Sequence, residues 1–210
     1  MKAKVLLCAA AAALSLCGAG SALAQSADGF TAGSILVRVR ALHFESVNKD
    51  STGLGLSINN KWVTPAEVDL SYFLSPNWAA ELVLAVPQKF HVYSFDTAIG
   101  SVRALPPTLL AQYHFDQMSG FKPYVGAGIN YTRFSSVNIL DGAATIKKNS
   151  FGPALQVGTD VELAKNIYLN LDVKKVWMRT KVSAPGLGLG EIGTLRLDPW
   201  MIGVGIGYRF

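Results

Sequence analysis

Cysteine is nearly absent from this chain. Cys8 and Cys17 are the only two, and both lie within the first 24 positions. A product trimmed of that segment can form no disulfide and no thiolate metal site. Histidine is almost as scarce, and the three residues present, His43, His91 and His114, are scattered. Two histidines at metal-ligand spacing do not occur, and none forms the His-x-Ser pair that a lipid-deacylating barrel would need. No metal, cofactor or catalytic residue is therefore expected. Long apolar runs are missing too. Beyond the N-terminal segment no stretch approaches 18 consecutive apolar residues, although half of the chain is hydrophobic. A helical membrane protein is excluded. Charge is sparse and mixed: without Lys2 and Lys4, 17 basic residues face 14 acidic ones, with no basic cluster to suggest nucleic acid.

The N-terminus reads as an export signal. Met1, Lys2 and Lys4 precede an apolar run from Val5 to Leu16, and Ala22-Leu23-Ala24 fits the small-x-small cleavage pattern. Residues 1–24 are expected to be removed, leaving 25–210 as a single domain. A lipoprotein signal ending at Cys17 is the competing reading, and bulky Leu16 argues against it.

What remains is dominated by a period of two. Trp200, Ile202, Val204, Ile206, Tyr208 and Phe210 alternate with Met201, Gly203, Gly205, Gly207 and Arg209. One face is apolar with aromatic ends, and the other is small or polar. Ten steps between these eleven residues, at about 3.3 Å each and tilted about 40°, rise roughly 25 Å, the height of an outer-membrane apolar band. Seven further segments repeat the alternation, beginning near Ile35, Ala66, Ala80, Leu109, Val125, Leu155 and Leu169. Short connections (75–77, 116–120, 164–166) alternate with long ones (46–61, 93–100, 135–149, 181–193). Trp62, Trp177 and Trp200 fall at the end with the long loops, and Trp78 at the other. These features together predict an eight-stranded antiparallel transmembrane β-barrel, with short periplasmic turns, longer extracellular loops and aromatic girdles. Gly203-x-Gly205-x-Gly207 sits on a strand, so it leaves space or permits close packing and does not cradle phosphate.

Eight strands enclose a lumen just wide enough for side chains or one small ligand. Alternation turns Arg38, Arg40, Glu67, Asp69, Glu81, Asp172, Lys174 and Arg209 inward in the periplasmic half, with Asp160 and Asn170 beside them. Enclosed charges must pair, so an ionic plug is expected. Farther out, Leu42, Phe44, Val83, Ala85, Val176, Met178 and Met201 point inward, as an apolar funnel open to the outside on one reading and as simple barrel filling on the other. Pro65, Pro87 and Pro106 interrupt neighbouring strands at one height. Proline cannot donate to a ladder, so a lateral gap is one reading and the simple end of strand pairing is the other.

Several stretches resemble the outer membrane protein W family. They are Leu105-Pro106-Pro107-Thr108-Leu109-Leu110-Ala111-Gln112-Tyr113, Pro123-Tyr124-Val125-Gly126-Ala127-Gly128-Ile129-Asn130-Tyr131-Thr132, Arg196-Leu197-Asp198-Pro199-Trp200 and the terminal Gly207-Tyr208-Arg209-Phe210. The resemblance implies residence in the outer membrane and passive uptake of small hydrophobic molecules, as in related alkane-uptake proteins. Tyr208 and Phe210 would then be an assembly signal for the barrel-assembly machinery. Expected partners are outer-membrane lipid, lipopolysaccharide and small apolar solutes. Some members carry tryptophan where Lys174 stands, so a uniformly greasy interior is not expected here. A barrel acting structurally or through its loops, and less so a lipid-modifying enzyme, are the other function classes.

Overall fold

Strict alternation over this many segments leaves one apolar face per strand without a soluble partner, and closure into a cylinder satisfies every ladder at once. The structure, a computed structural model, describes residues 30–116 and 120–210, with the side chains of 64–66 outside the description. The expected leader and its cleavage site lie outside the described residues, as does the side chain of Pro65.

In chain order the strands are β1 (Ile35–Glu45), β2 (Lys49–Asp50), β3 (Leu56–Ile58), β4 (Lys61–Phe73), β5 (Trp78–Ala85), β6 (Gln88–Ser94), β7 (Thr97–Leu105) and β8 (Thr108–His114). There follow β9 (Phe121–Ile139), β10 (Thr145–Ile146), β11 (Asn149–Ala164), β12 (Ile167–Val176), β13 (Arg179–Ser183), β14 (Glu191–Arg196) and β15 (Trp200–Arg209). They make eight passes of the wall, because β5/β6, β7/β8, β12/β13 and β14/β15 are each one pass broken in the middle. The order around the barrel is β1, β4, β5, β8, β9, β11, β12, β15 and back to β1, antiparallel throughout. Closure runs in register from Leu36 opposite Arg209 to Glu45 opposite Trp200. Three of the breaks carry proline: Pro87, Pro106-Pro107 and Pro199. The fourth, at residues 177–178, is braced by Asp198, whose Oδ1 accepts the Met178 N–H at 2.9 Å.

The outer surface confirms the alternation. Val39, Leu84, Leu109, Ile129, Leu155, Val157, Leu171 and Ile206 are all exposed large apolar side chains. A continuous apolar belt of this extent needs lipid rather than water around it. At its lower edge Trp78 stacks edge-on with Tyr113 (5.1 Å), Tyr113 with Phe115 (5.1 Å) and Tyr208 with Phe210 (4.8 Å). Trp62, Trp200, Tyr131 and Phe151 mark the upper edge, and Lys175 Nζ lies 4.8 Å over the Trp200 ring.

The long loops differ from expectation. Much of each is strand, so the wall continues above the apolar belt. β9 reaches Ile139, and β10, β13, β14 and β2 form a second four-stranded sheet there. The 93–100 connection is a tight hairpin, with Ser94 opposite Thr97 and Phe95 and Asp96 at φ 44° and 67°, as a two-residue primed turn requires. The cause is the inward face: Leu56, Val92, Val102, Ile139, Val182 and Leu195 are buried, and open loops would have left them in water. Elements of two or three residues are visible only through the partners that complete their ladders.

Candidate functional site: the stratified lumen

The interior is built in layers. At the periplasmic end Phe30 folds in beneath the barrel and stacks on Phe73 at 4.2 Å, joining Leu36, Ala79 and Tyr168 in a small apolar cluster. Lys122 Nζ lies 4.2 Å over the Phe30 ring. The sequence reading missed this floor, because Phe30 precedes the first strand and carries no periodic signal.

Above the floor lies a layer of buried, paired polar side chains. Arg38, fully buried, binds Asp160 in a two-pronged pair (Nε to Oδ1 3.0 Å, Nη2 to Oδ2 2.6 Å) and reaches Ser71 Oγ and Glu81 with Nη1 (2.8 and 3.2 Å). Arg40, also fully buried, is the hub. Nη1 lies 3.0 Å from Glu67 and 2.9 Å from Asp69, Nη2 lies 3.3 Å from Glu81, and Nε donates to Asn170 at 2.7 Å. Lys174 pairs with Glu67 and, at 3.1 Å, with Asp172. Tyr124 and Gln156 complete the Asp172 shell at 2.9 and 2.7 Å. Among the described residues, Arg38, Arg40 and Lys174 thus pair with five carboxyl groups, and each cation is shared. Of the expected plug members, Arg209 alone stands apart: it is half-buried at the rim and donates to Asn166 Oδ1 at 2.8 Å. Tyr124, Gln112 and Gln156 were not singled out from sequence, because a polar residue on an inward parity carries no mark of its partner.

The glycine column of β15 shows what the plug needs from the wall. A Cβ at Gly205 would sit 2.8 Å from Arg40 Cγ, and one at Gly207 3.1 Å from Arg38 Cγ. The two arginines lie against the bare backbone, so close packing, rather than open lumen, accounts for this column.

Next comes an apolar layer. Leu42, Phe44, Val83, Val176, Met178 and Met201 all belong to one buried cluster, while Ala85 is half-buried beside it. Phe44 packs on Phe90 at 4.7 Å. These side chains are buried against one another. The open space lies higher, where the upper wall encloses a cavity of about 230 Å³ lined almost wholly by apolar groups, among them Ile58, Val102, Phe134, Ile146, Val182 and Leu195. None of the seven residues expected to form the funnel lines it. Its lining extends to the exposed tips Leu54, Leu140, Leu187 and Leu189, which make a greasy mouth.

The loop at the mouth is held by Asp50. Burial would raise its carboxyl, but the backbone N–H groups of Thr52 (2.9 Å) and Leu56 (3.1 Å) and the Thr52 hydroxyl (2.9 Å) outweigh that and hold it below the usual carboxylate range. A lowered carboxyl contributes its stability fully above the unfolded value and loses it as pH falls through the lowered one. The amide signals of Thr52 and Leu56 in NMR spectra should therefore stay fixed down to the ordinary carboxylate range and shift only below it. Asp50→Ala should produce that shift at neutral pH.

The wall itself is interrupted at the level of the apolar layer. Pairing between β5 and β8 ends at Val83 opposite Thr108 and resumes one register away at Gln88 opposite Ala104. The β4–β5 ladder ends at Glu67 opposite Ala85, a register that, continued, sets Pro65 against Pro87. Inside the break, Asn130 Nδ2 donates to the carbonyls of Pro106 (3.2 Å) and Pro107 (3.1 Å) and to Thr108 Oγ1 (2.8 Å). Outside it, Leu82, Pro107, Leu109, Ile129, Tyr131 and Phe151 line an apolar depression of about 150 Å³ on the lipid side.

Comparison with known proteins agrees with this architecture. The profile described as OmpW family matches residues 30–210. Outer membrane protein W of Escherichia coli is 34% identical over 209 residues, covering 96% of this chain and 97% of its own. Outer membrane protein AlkL of Ectopseudomonas oleovorans is 32% identical over 163 residues, 74% of this chain and 69% of its own. The crystal structure of OprG from Pseudomonas aeruginosa superposes with a TM-score of 0.74 at 26% identity, covering 88% of this chain and 99% of that one. With its lipid-facing belt and matched length, the chain belongs to the OmpW family of outer-membrane β-barrels.

Proposed function

We propose that this barrel passes small hydrophobic molecules from the outer surface into the membrane without catalysing a reaction on them. The observation that carries the reading is the enclosed apolar cavity, open through leucine tips above, with a packed apolar layer beneath it and the ionic plug beneath that. A solute gains about 25 cal/mol for each Å² of apolar surface it buries there. Continuing down would place it among paired charges and then against Phe30, with no compensating attraction. Sideways movement keeps it in apolar surroundings.

Pro65, Pro87 and Pro106 bear on such a side exit. The lipid-facing depression favours the stretch beside Pro107, where Asn130 acts as the latch. Uptake into liposomes of a homologous apolar series should rise with chain length until the cavity is filled, while sugars of similar size are excluded. Equal rates for both classes would sink the reading. The exit has a separate test. Leu84 and Pro107 would face each other if the Val83–Thr108 register continued, so Leu84→Cys with Pro107→Cys should allow a staple across the break. Oxidation should slow uptake of a long apolar solute, and reduction should restore it. A rate indifferent to the staple would discard lateral release while leaving apolar uptake standing.

A further inference from the structure

Above the apolar belt, three cations stand in a row across three adjacent strands. Arg179 of β13 is the direct cross-strand partner of Arg196 of β14, and Arg196 that of Lys49 of β2. All three are exposed, while their neighbours Thr180 and Leu195 are buried, so the row faces outward from the wall. Among the described residues their side chains form no ion pair. Like charges directly opposite one another destabilise a sheet. The same hairpin can do otherwise: two residues farther along, Lys181 Nζ meets Glu191 Oε2 at 2.8 Å. The unneutralised row borders an open depression that Ser51 and Thr194 help to line. Asp50, also in that lining, has its carboxylate engaged by the N–H groups of Thr52 and Leu56 and is turned to its own loop.

Height identifies what could neutralise the row. Glu45 pairs with Trp200 at the upper aromatic girdle, and Lys49 and Arg196 each lie four residues beyond that pair. Strand residues rise about 3.3 Å apiece, so the cations stand roughly 10 Å above the girdle, allowing for tilt. That is the headgroup zone of the outer leaflet. A second like-charged pair, Lys89 opposite Arg103, is exposed on the extended wall elsewhere around the barrel. Guanidinium groups bind phosphate in two-pronged fashion, and a row of cations at a lipid surface attracts anionic headgroups.

We propose that Lys49, Arg179 and Arg196 form a binding site for the phosphate groups of lipopolysaccharide. The site is independent of solute passage through the lumen. Binding to the detergent-solubilised, folded barrel distinguishes the sources of phosphate, using lipopolysaccharide, the same lipid enzymatically dephosphorylated, and inorganic pyrophosphate. Intact lipopolysaccharide should bind best, and removing its phosphates should weaken it at least about tenfold. Arg179→Ser with Arg196→Ser should weaken intact lipopolysaccharide roughly thirtyfold and leave the dephosphorylated lipid unchanged. Lys181→Ser, outside the row, should change neither. Equal binding of intact and dephosphorylated lipid by the unaltered protein would overturn the proposal, and that arm needs no variant to fold. Equal binding by the double variant would overturn it as well, as would pyrophosphate binding as tight as the lipid, which would mark a site for free anions.

Discussion

Replacing Arg40 with methionine is expected to lower the stability of the folded barrel by about 3–5 kcal/mol, the usual cost of stranding buried charge partners. Arg40 lies within 3.3 Å of Glu67, Asp69 and Glu81 and 3.7 Å from Asp172, and its side chain is fully buried. Those carboxyl groups would be left to Arg38 and Lys174, each already engaged. Asp69 is the most exposed to the loss, because its contact with Arg40 is an ion pair without hydrogen-bond geometry, and neither of its oxygens has another partner among the described residues. The urea midpoint for unfolding from lipid vesicles should fall, and planar-bilayer conductance for small ions should rise as water enters the plug. Arg40→Met combined with Asp69→Leu should recover part of the lost stability, since an ion pair replaced by apolar groups of similar size is often neutral. A single variant that unfolds at the wild-type urea concentration, with unchanged conductance, would remove the plug as a source of either stability or closure.

The second large effect is expected at the cavity. Val102 is buried and lines it. A tryptophan there occupies space that an apolar solute would otherwise use. Loss of roughly 80 Å² of buried apolar solute surface weakens occupancy by about 2 kcal/mol, or roughly thirtyfold. Uptake of a small apolar solute should fall accordingly, while heat-modifiable electrophoretic mobility shows that the barrel still forms. Val125→Trp is the matched control, because Val125 is exposed on the lipid face. Unchanged uptake by Val102→Trp would show that the solute path avoids this cavity. A loss shared equally with the control would point to a general effect of bulk on the barrel.

Sequence alone determined the barrel. Period-two alternation forces each strand to choose a face for lipid and a face for the lumen, and that choice placed Arg38, Arg40, Glu67, Asp69, Glu81, Asp172 and Lys174 inward without any knowledge of their partners. Desolvation then required that they pair. Parity says nothing, however, about which carboxylate meets which guanidinium. Arg38 finds Asp160 at a separation of 122 residues, and Arg40 finds Asn170 at 130. The closure of β1 onto β15 and the stagger between strands fix those meetings. The upper wall was illegible for a related reason: β2, β3 and β10 are too short to show a period and exist because neighbours complete their ladders. The cavity lies above the expected funnel, since at the height of Phe44 and Met201 large side chains pack against one another across a narrow barrel, while the extended wall above them encloses space. Phe30, outside every strand, became the floor because an open end exposed Phe73 and Tyr168, and only the assembled barrel creates that opening.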